Sequence, residues 1–177
     1  MQSAHTSSGC QCQYCQVYEL TVSRQVDTND HLRIWRKFRF GTLADLIMLD
    51  TRVYERDITD LYYNTAKIKA IHEEDDRSLM GACQEAWFHD SLIDAQQSNV
   101  SWKVVGNQVL FAHVNYSTPT FQINYDAWDG YTANRERILN TIAGNKIDNL
   151  IMLAGDTHVN VRGFLVQADA AVGLRHC

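Results

Sequence analysis

Nowhere does the chain contain a run of about 18 consecutive apolar residues, which excludes a transmembrane helix. The opening residues, MQSAHTSSGCQCQYCQ, are polar and lack the apolar stretch of a signal peptide, so no export address is expected in this chain. Positive charge is also in short supply. Sixteen Lys and Arg against 21 Asp and Glu leave a formal charge of -5 and a pI near 5.7, which argues against a general nucleic-acid binder. There is no G-x-S-x-G elbow, no P-loop and no G-x-G-x-x-G, so a serine hydrolase, a nucleotide kinase and a dinucleotide enzyme have no support. Proline occurs once, as Pro119, in a segment read as loop.

What is present is ordinary globular material. Of the 177 residues, 45% are hydrophobic and 21% charged, enough to pack a core, and the length suits one domain. The five cysteines are odd in number and do not make a disulfide framework. Three of them, Cys10, Cys12 and Cys15, form C-x-C-x2-C, but a zinc site needs a second ligand pair and His5 is the only candidate nearby. The Ser/Gln-rich residues 1–16 lie outside any periodic segment, and 1–24 are read as a divergent leader. Basic residues cluster in RIWRKFR (Arg33 to Arg39), read as the solvated face of an edge strand in preference to a phosphate contact.

From Leu32 apolar and charged residues alternate up to Phe40, which predicts a strand with one apolar face. After Gly41 the denser run LADLIMLDTR, Leu43 to Arg52, predicts a strand buried on both faces. Residues 53–78 are charged, tyrosine-rich and irregular, and are read as a long surface excursion with one helical turn. Leu79, Ala82, Ala86, Leu92 and Ile93 then mark a helix over 79–97, with Trp87 and Phe88 widening its stripe. VSWKVVGNQVLFAHV follows as a strand through Val105, broken at Gly106-Asn107 by a bulge or a close approach, and resuming at Val109. DAWDGY leads into a second helix with Ile138, Leu139 and Ile142 inward and Gly144-Asn145 at its C-terminal cap. NLIMLAGDTHVN supplies the last strand. Strand and helix in alternation give an α/β chain whose sequential strands share a sheet.

Four sets of residues can carry chemistry. Asp156 and His158 lie two apart, so in an extended segment past a strand end they share a face. There they reach the crevice where open α/β sheets bind ligands, as a metal-ligating pair or as a capping Asp beside a hydrogen-bonded His. Gly155 before them leaves room for close approach. Asn107 and Gln108 interrupt an otherwise apolar strand, so their amides either orient a ligand or satisfy neighbouring backbone. Arg52, at the carboxyl end of a strand, suits a phosphate through charge-assisted hydrogen bonds, or pairs with Asp50 or Asp57. Asp126, Trp128, Asp129 and Tyr131 precede a helix, where an Asp can serve its dipole or face a substrate.

Taken together, RIWRKFRFGTLADLIMLDTRVY, RSLMGACQEAWF, SWKVVGNQV, YDAWDGYTANRERIL and NLIMLAGDTHVN resemble, in order, the PhoD-like alkaline phosphatases, most closely their fungal branch. The resemblance runs from about Gln25 to His158, which makes 25–160 the C-terminal part of such a domain and 161–177 a divergent tail. It implies an α/β (α+β) fold: part of a calcineurin-like metallophosphoesterase β-sandwich flanked by helices. It also implies hydrolysis of phosphomonoesters and phosphodiesters at a metal centre of iron with calcium, and relatives that are often exported. By the same resemblance Asp156 and His158 match the last metal motif, while Arg52, Asn107 and Gln108 remain catalytic candidates. Two departures stand out. Family members are much longer, with an N-terminal half holding the first metal ligands and opening strands, and after His158 this chain continues Val159-Asn160-Val161-Arg162 where the family has a small residue and then Trp. The alternative reading is a truncated, non-catalytic remnant with weak metal or phosphate binding.

Overall fold

A computed structural model describes residues 30, 32–61, 63–113 and 123–156. The chain divides into two units, Met1–Ile34 and Trp35–Cys177. In the first, the described part is a short turn in which Asp30 accepts hydrogen bonds from the N–H groups of Leu32 and Arg33. The second contains, in order, β1 (Arg36–Phe40), β2 (Ala44–Met48), α1 (Thr65–Ile71), α2 (Gly81–Gln97), β3 (Trp102–Asn107), a 3-10 turn (Trp128–Gly130), α3 (Thr132–Gly144) and β4 (Leu150–Ala154).

The strands form one mixed sheet in sequence order. β1 turns back antiparallel onto β2, whereas β2, β3 and β4 run parallel, joined by connections that carry α2 and α3. Parallel neighbours require such crossovers because the chain must return to the starting edge before each new strand. A consequence follows for function: the carboxyl ends of β2, β3 and β4 lie along a single edge.

The register separates two unlike faces. On one, Ile47 and Val105 are fully buried and join Phe88 and Leu92 of α2 and Ile138 of α3 in the core. Full burial of side chains of this size is worth roughly 1.5–3 kcal/mol each. Charges share this face, and each is paired, as burial demands. Asp45 is fully buried and takes the Arg39 guanidinium on both oxygens, at 2.9 and 2.7 Å, from the position directly opposite in β1. Lys37 and Arg39 also reach Asp94 on α2. Lys103 is buried with its Nζ on Gln96, 2.6 Å, and Asp148, 3.0 Å.

The opposite face carries Phe38 beside Leu46, Val104 and Ile151, with Phe40, Ala44 and Trp102 in one flanking row and Met48, Gly106 and Leu153 in the other. Phe38, Phe40, Trp102, Ile151 and Leu153 are all exposed. The basic cluster is thus divided: Lys37 and the exposed Arg39 lie on the α2 side of the strand, Arg36 on the opposite face with the exposed Phe38 and Phe40.

Other expectations also change. β2 is buried on one face, not two. The 53–78 excursion contains α1, two turns long, and sinks Tyr54, Ile68 and Arg77 into the protein. The buried stripe of α2 is Gln84, Phe88, Ser91, Leu92 and Ala95, rotated from the expected one because two polar residues occupy it. β3 runs through Gly106 without a bulge; the close approach there is by the Met48 side chain. The strand does not resume at Val109, although Val109 and Phe111 enter the core as irregular backbone. Cys83 is disulfide-bonded, and Cys10, Cys12, Cys15, Cys177, Pro119 and the tail lie outside the described residues. Among the described residues no helix is long and apolar enough to cross a membrane.

Two glycines provide a test of this packing. A Cβ on Gly130 would lie 2.0 Å from the Tyr125 carbonyl oxygen, backbone against backbone, whereas one on Gly144 would meet nothing within 4 Å. Gly130→Ala is expected to cost about 1–3 kcal/mol in urea unfolding by forcing open the loop over 125–130. Gly144→Ala, at the end of α3, is expected to be neutral or to stabilise by up to about 1 kcal/mol.

Candidate functional site

Where the parallel ladder stops, the last peptide groups of β2 and β3 need partners, and side-chain amides provide them. Gln84 grips the Asp50 peptide at both ends: its Oε1 accepts from the Asp50 N–H at 2.7 Å and its Nε2 donates to the Asp50 carbonyl at 2.8 Å. Gln108 does the same one step away, accepting from the Thr51 N–H at 2.8 Å and donating to the Leu49 carbonyl at 2.5 Å. Asn107, buried at the end of β3, accepts from the Thr51 hydroxyl at 3.2 Å and donates to the Val109 carbonyl at 2.5 Å. Gln108 thus meets backbone and the Thr51 hydroxyl, and Asn107 meets the Val109 carbonyl and the Thr51 and Trp128 side chains.

Asp50 turns the chain out of the sheet. Its Oδ1 accepts the N–H groups of Arg52 and Val53, both at 3.0 Å, a local turn of the kind aspartate favours. This throws Arg52 across the carboxyl edge of the sheet. Its side chain pairs with neither the Asp50 nor the Asp57 carboxylate. Instead Nη1 donates to Asp126 Oδ2 at 2.8 Å and Nη2 to Asp156 Oδ2 at 2.5 Å. One guanidinium thus joins the end of β2, the loop before α3 and the end of β4.

The two carboxylates differ in how they are held. Asp126 is half-buried. Its Oδ1 takes Arg56 Nη2 at 2.8 Å and the Thr59 hydroxyl at 2.5 Å, and Arg56 also reaches its carbonyl. Burial works to raise the Asp126 pKa, but hydrogen bonds from Thr59 and Arg52 and the fields of Arg56 and Arg52 outweigh it, leaving the group below the usual aspartate range. Asp156 is exposed, and among the described residues its carboxylate touches Arg52 alone. Its φ of +69° lies in the left-handed region. Aspartate tolerates this conformation better than most side chains. Gly155 is not demanded by space, since an added Cβ would sit 3.5 Å from the Gln108 carbonyl oxygen. His158 lies outside the described residues.

Asp129, three residues after Asp126, faces another way. Buried, it accepts from Arg135 at 2.6 Å and bonds His113 Nδ1 at 2.8 Å. Tyr131 is fully buried between Arg56 and Arg77, with its hydroxyl on the Asp57 carbonyl at 2.8 Å. These contacts lock the loop carrying Asp126 to the loop carrying Arg56. Arg56 and Thr59 were missed in the sequence because they sit in the irregular excursion. Asp126 was noticed, but not its partners.

Among the described residues no three His, Cys, Asp or Glu side chains converge to hold a metal ion. Asp156 alone of the expected pair is described, and a guanidinium meets it. The described residues therefore do not by themselves compose a metal site, and the charge they neutralise at this edge is neutralised by arginine.

The depressed pKa of Asp126 has a pH consequence. The unfolded chain binds a proton at this carboxylate more readily than the folded one, so its contribution to stability is present above the ordinary aspartate value of about 3.9 and lost as pH falls through the lower folded value. Denaturant unfolding between pH 6 and pH 3 is expected to show a shallower acid loss for Asp126→Asn than for the parent chain.

The comparisons with known proteins agree on one family. A profile of the PhoD-like phosphatases matches residues 17–173, wider at both ends than the stretch on which the sequence motifs fall. The chain is similar to alkaline phosphatase D of Bacillus subtilis (strain 168), 35% identical over 130 residues that cover 73% of this chain and 22% of that protein. It also resembles a solved structure of PhoD, with a TM-score of 0.62 and 32% identity over 80% of this chain and 26% of that one. The chain thus spans about a quarter or less of the length of these relatives, and its mixed α/β sheet with flanking helices is part of their metallophosphoesterase-like fold. On the profile match over most of its length, the chain belongs to the PhoD-like phosphatase family.

Proposed function

We propose that the chain is the part of a metal-dependent phosphoesterase that presents Arg52 to a phosphoryl oxygen, in an enzyme hydrolysing phosphomonoesters or phosphodiesters; the Bacillus relative is by name a phosphatase. The observation that carries this reading is the Arg52 guanidinium itself. It stands at the carboxyl ends of the parallel strands, in a chain of the PhoD-like family, anchored by Asp126 and aimed at the end of β4. A forked, permanently charged donor on that edge suits a phosphate, which arginine binds through parallel charge-assisted hydrogen bonds. Gln108 supports the same edge indirectly, by fixing peptide groups of Leu49 and Thr51 from which Arg52 departs, and Asn107 does so through the Thr51 hydroxyl.

Family membership suggests metal dependence. The finer reading, iron with calcium ligated in part by Asp156 and His158, rests on the match of these two residues to the family's last metal motif. A second reading is a non-catalytic remnant of that fold. On that reading it binds phosphate or metal without turnover.

Expression of residues 1–177, measurement of bound iron and calcium, and assay against aryl phosphate mono- and diesters at alkaline pH separate the two. Hydrolysis lost in Asp156→Ala is the expected result for a phosphoesterase. Metal-free, inactive protein would sink catalysis by this chain and leave the binding reading.

A further inference from the structure

Between α2 and α3 one imidazole is held by only half of its hydrogen-bonding capacity. His89 on α2 meets Thr141 on α3, Nδ1 to hydroxyl, at 2.7 Å. The same hydroxyl lies 3.1 Å from the Arg137 carbonyl, one turn back along α3. A hydroxyl has one proton to give. Given to Nδ1, it would force the ring's own proton onto Nε2, a buried atom with no hydrogen-bond partner among the described residues. Given to the carbonyl, it lets Nδ1–H donate to the Thr141 oxygen and leaves Nε2 a bare lone pair. Buried N–H groups without an acceptor are rarer than under-used acceptors, which selects the second arrangement.

Nε2 faces Glu85 Oε1 across 3.8 Å, too far for a hydrogen bond. Arg137 already engages that carboxylate: Nε donates to Oε1 at 2.5 Å and Nη2 to Oε2 at 2.9 Å. The same guanidinium donates to the carbonyls of Asp75 at 2.6 Å and Arg77 at 3.3 Å. Arg77 in turn donates to the carbonyls of Gly130 and Ile58 and stacks on the Tyr131 ring. The Glu85–Arg137 pair thus ties α2 and α3 to the turn over 75–77, and through it to the loops that carry Asp126 and Arg56.

We propose that His89 is an acid-sensitive latch in this joint, opened by a proton arriving at Nε2. The new N–H is a buried donor, and it competes with Arg137 Nε for Glu85 Oε1. Taking that oxygen breaks one of the two bonds of the Glu85–Arg137 pair and slackens the hold on the 75–77 carbonyls. Burial opposes the proton most, and the Arg137 charge on α3 opposes it too. Glu85 and Asp90 on α2 favour it without prevailing, so His89 stays below the usual histidine range. The unfolded chain therefore binds this proton more readily than the folded one. The stability contributed by neutral His89 is complete above the ordinary value of about 6.5 and is lost as pH falls toward the lower folded value. Nothing in this device requires a phosphoryl ligand at Arg52.

Long-range 1H–15N NMR of the full chain at neutral pH is expected to place the His89 proton on Nδ1. Thr141→Val, which removes the acceptor, should move it to Nε2, and Thr141→Ser should return it to Nδ1. Urea unfolding followed from pH 8 to pH 5 should show the folded-to-unfolded ratio of the parent falling about three-fold or more beyond the fall in His89→Gln. Hydrogen-exchange protection of α3 and of the turn over 75–77 should drop with it in the parent and not in His89→Gln. A proton on Nε2 of the parent at neutral pH would overturn the latch. So would an acid loss of equal size in His89→Gln. Where His89→Gln fails to fold, the parent decides alone: His89 must become protonated in acid together with faster exchange of the Arg137 Nε–H, and protonation that leaves this N–H as protected as before overturns the proposal.

Discussion

The site depends on how the backbone is satisfied where the sheet runs out. Each parallel strand ends with peptide groups that have no next neighbour, and burying them unpaired would cost on the order of 1–3 kcal/mol apiece. Gln84, Asn107 and Gln108 meet that need at the ends of β2 and β3. Because these amides hold the Leu49–Thr51 backbone from several sides, Asp50 can turn the chain sharply and deliver Arg52 at a fixed point. The guanidinium then couples three segments far apart in sequence. Nothing in this arrangement relies on a long apolar contact; the edge is ordered by hydrogen bonds and charge.

Much of the sheet was legible in the sequence because β-strands of this kind announce themselves. LADLIM, WKVVG and LIMLA are dense apolar runs, and each became a strand. Their order and their crossover helices followed from the alternation of element types. Less legible were features set by tertiary contact. Gln84 and Ser91 hide the true buried stripe of α2, since a polar residue at a core position gives no hydrophobic signal. Val109 and Phe111 look like strand and are core without ladder partners, because periodicity reports burial and not pairing. Lys37 and Arg39 look solvent-facing, yet Asp45 and Asp94 draw them toward α2.

The site was legible in part for a similar reason. Arg52 and Asp156 could be singled out as polar residues at the ends of apolar runs, where open sheets place ligands. That they meet each other could not. Their contact spans 104 positions and depends on the parallel register of three strands. The same holds for Arg56 and Thr59, whose segment has no period to read. Asp126 sits in the distinctive string DAWDGY, but its partners lie in the opposite loop and leave no local trace.

The outward face of the sheet bears on the energetics of the whole unit. Phe38, Phe40, Trp102, Ile151 and Leu153 hold apolar area in water that a covered sheet would remove from it, at roughly 25 cal/mol per Å2. Among the described residues, the apolar burial that offsets the conformational entropy of the strands comes from the helical side. Conditions that strengthen apolar association, such as sulfate or moderate warming, act on both faces of such a sheet at once. They deepen its core and, with the same hand, make its open side adhesive.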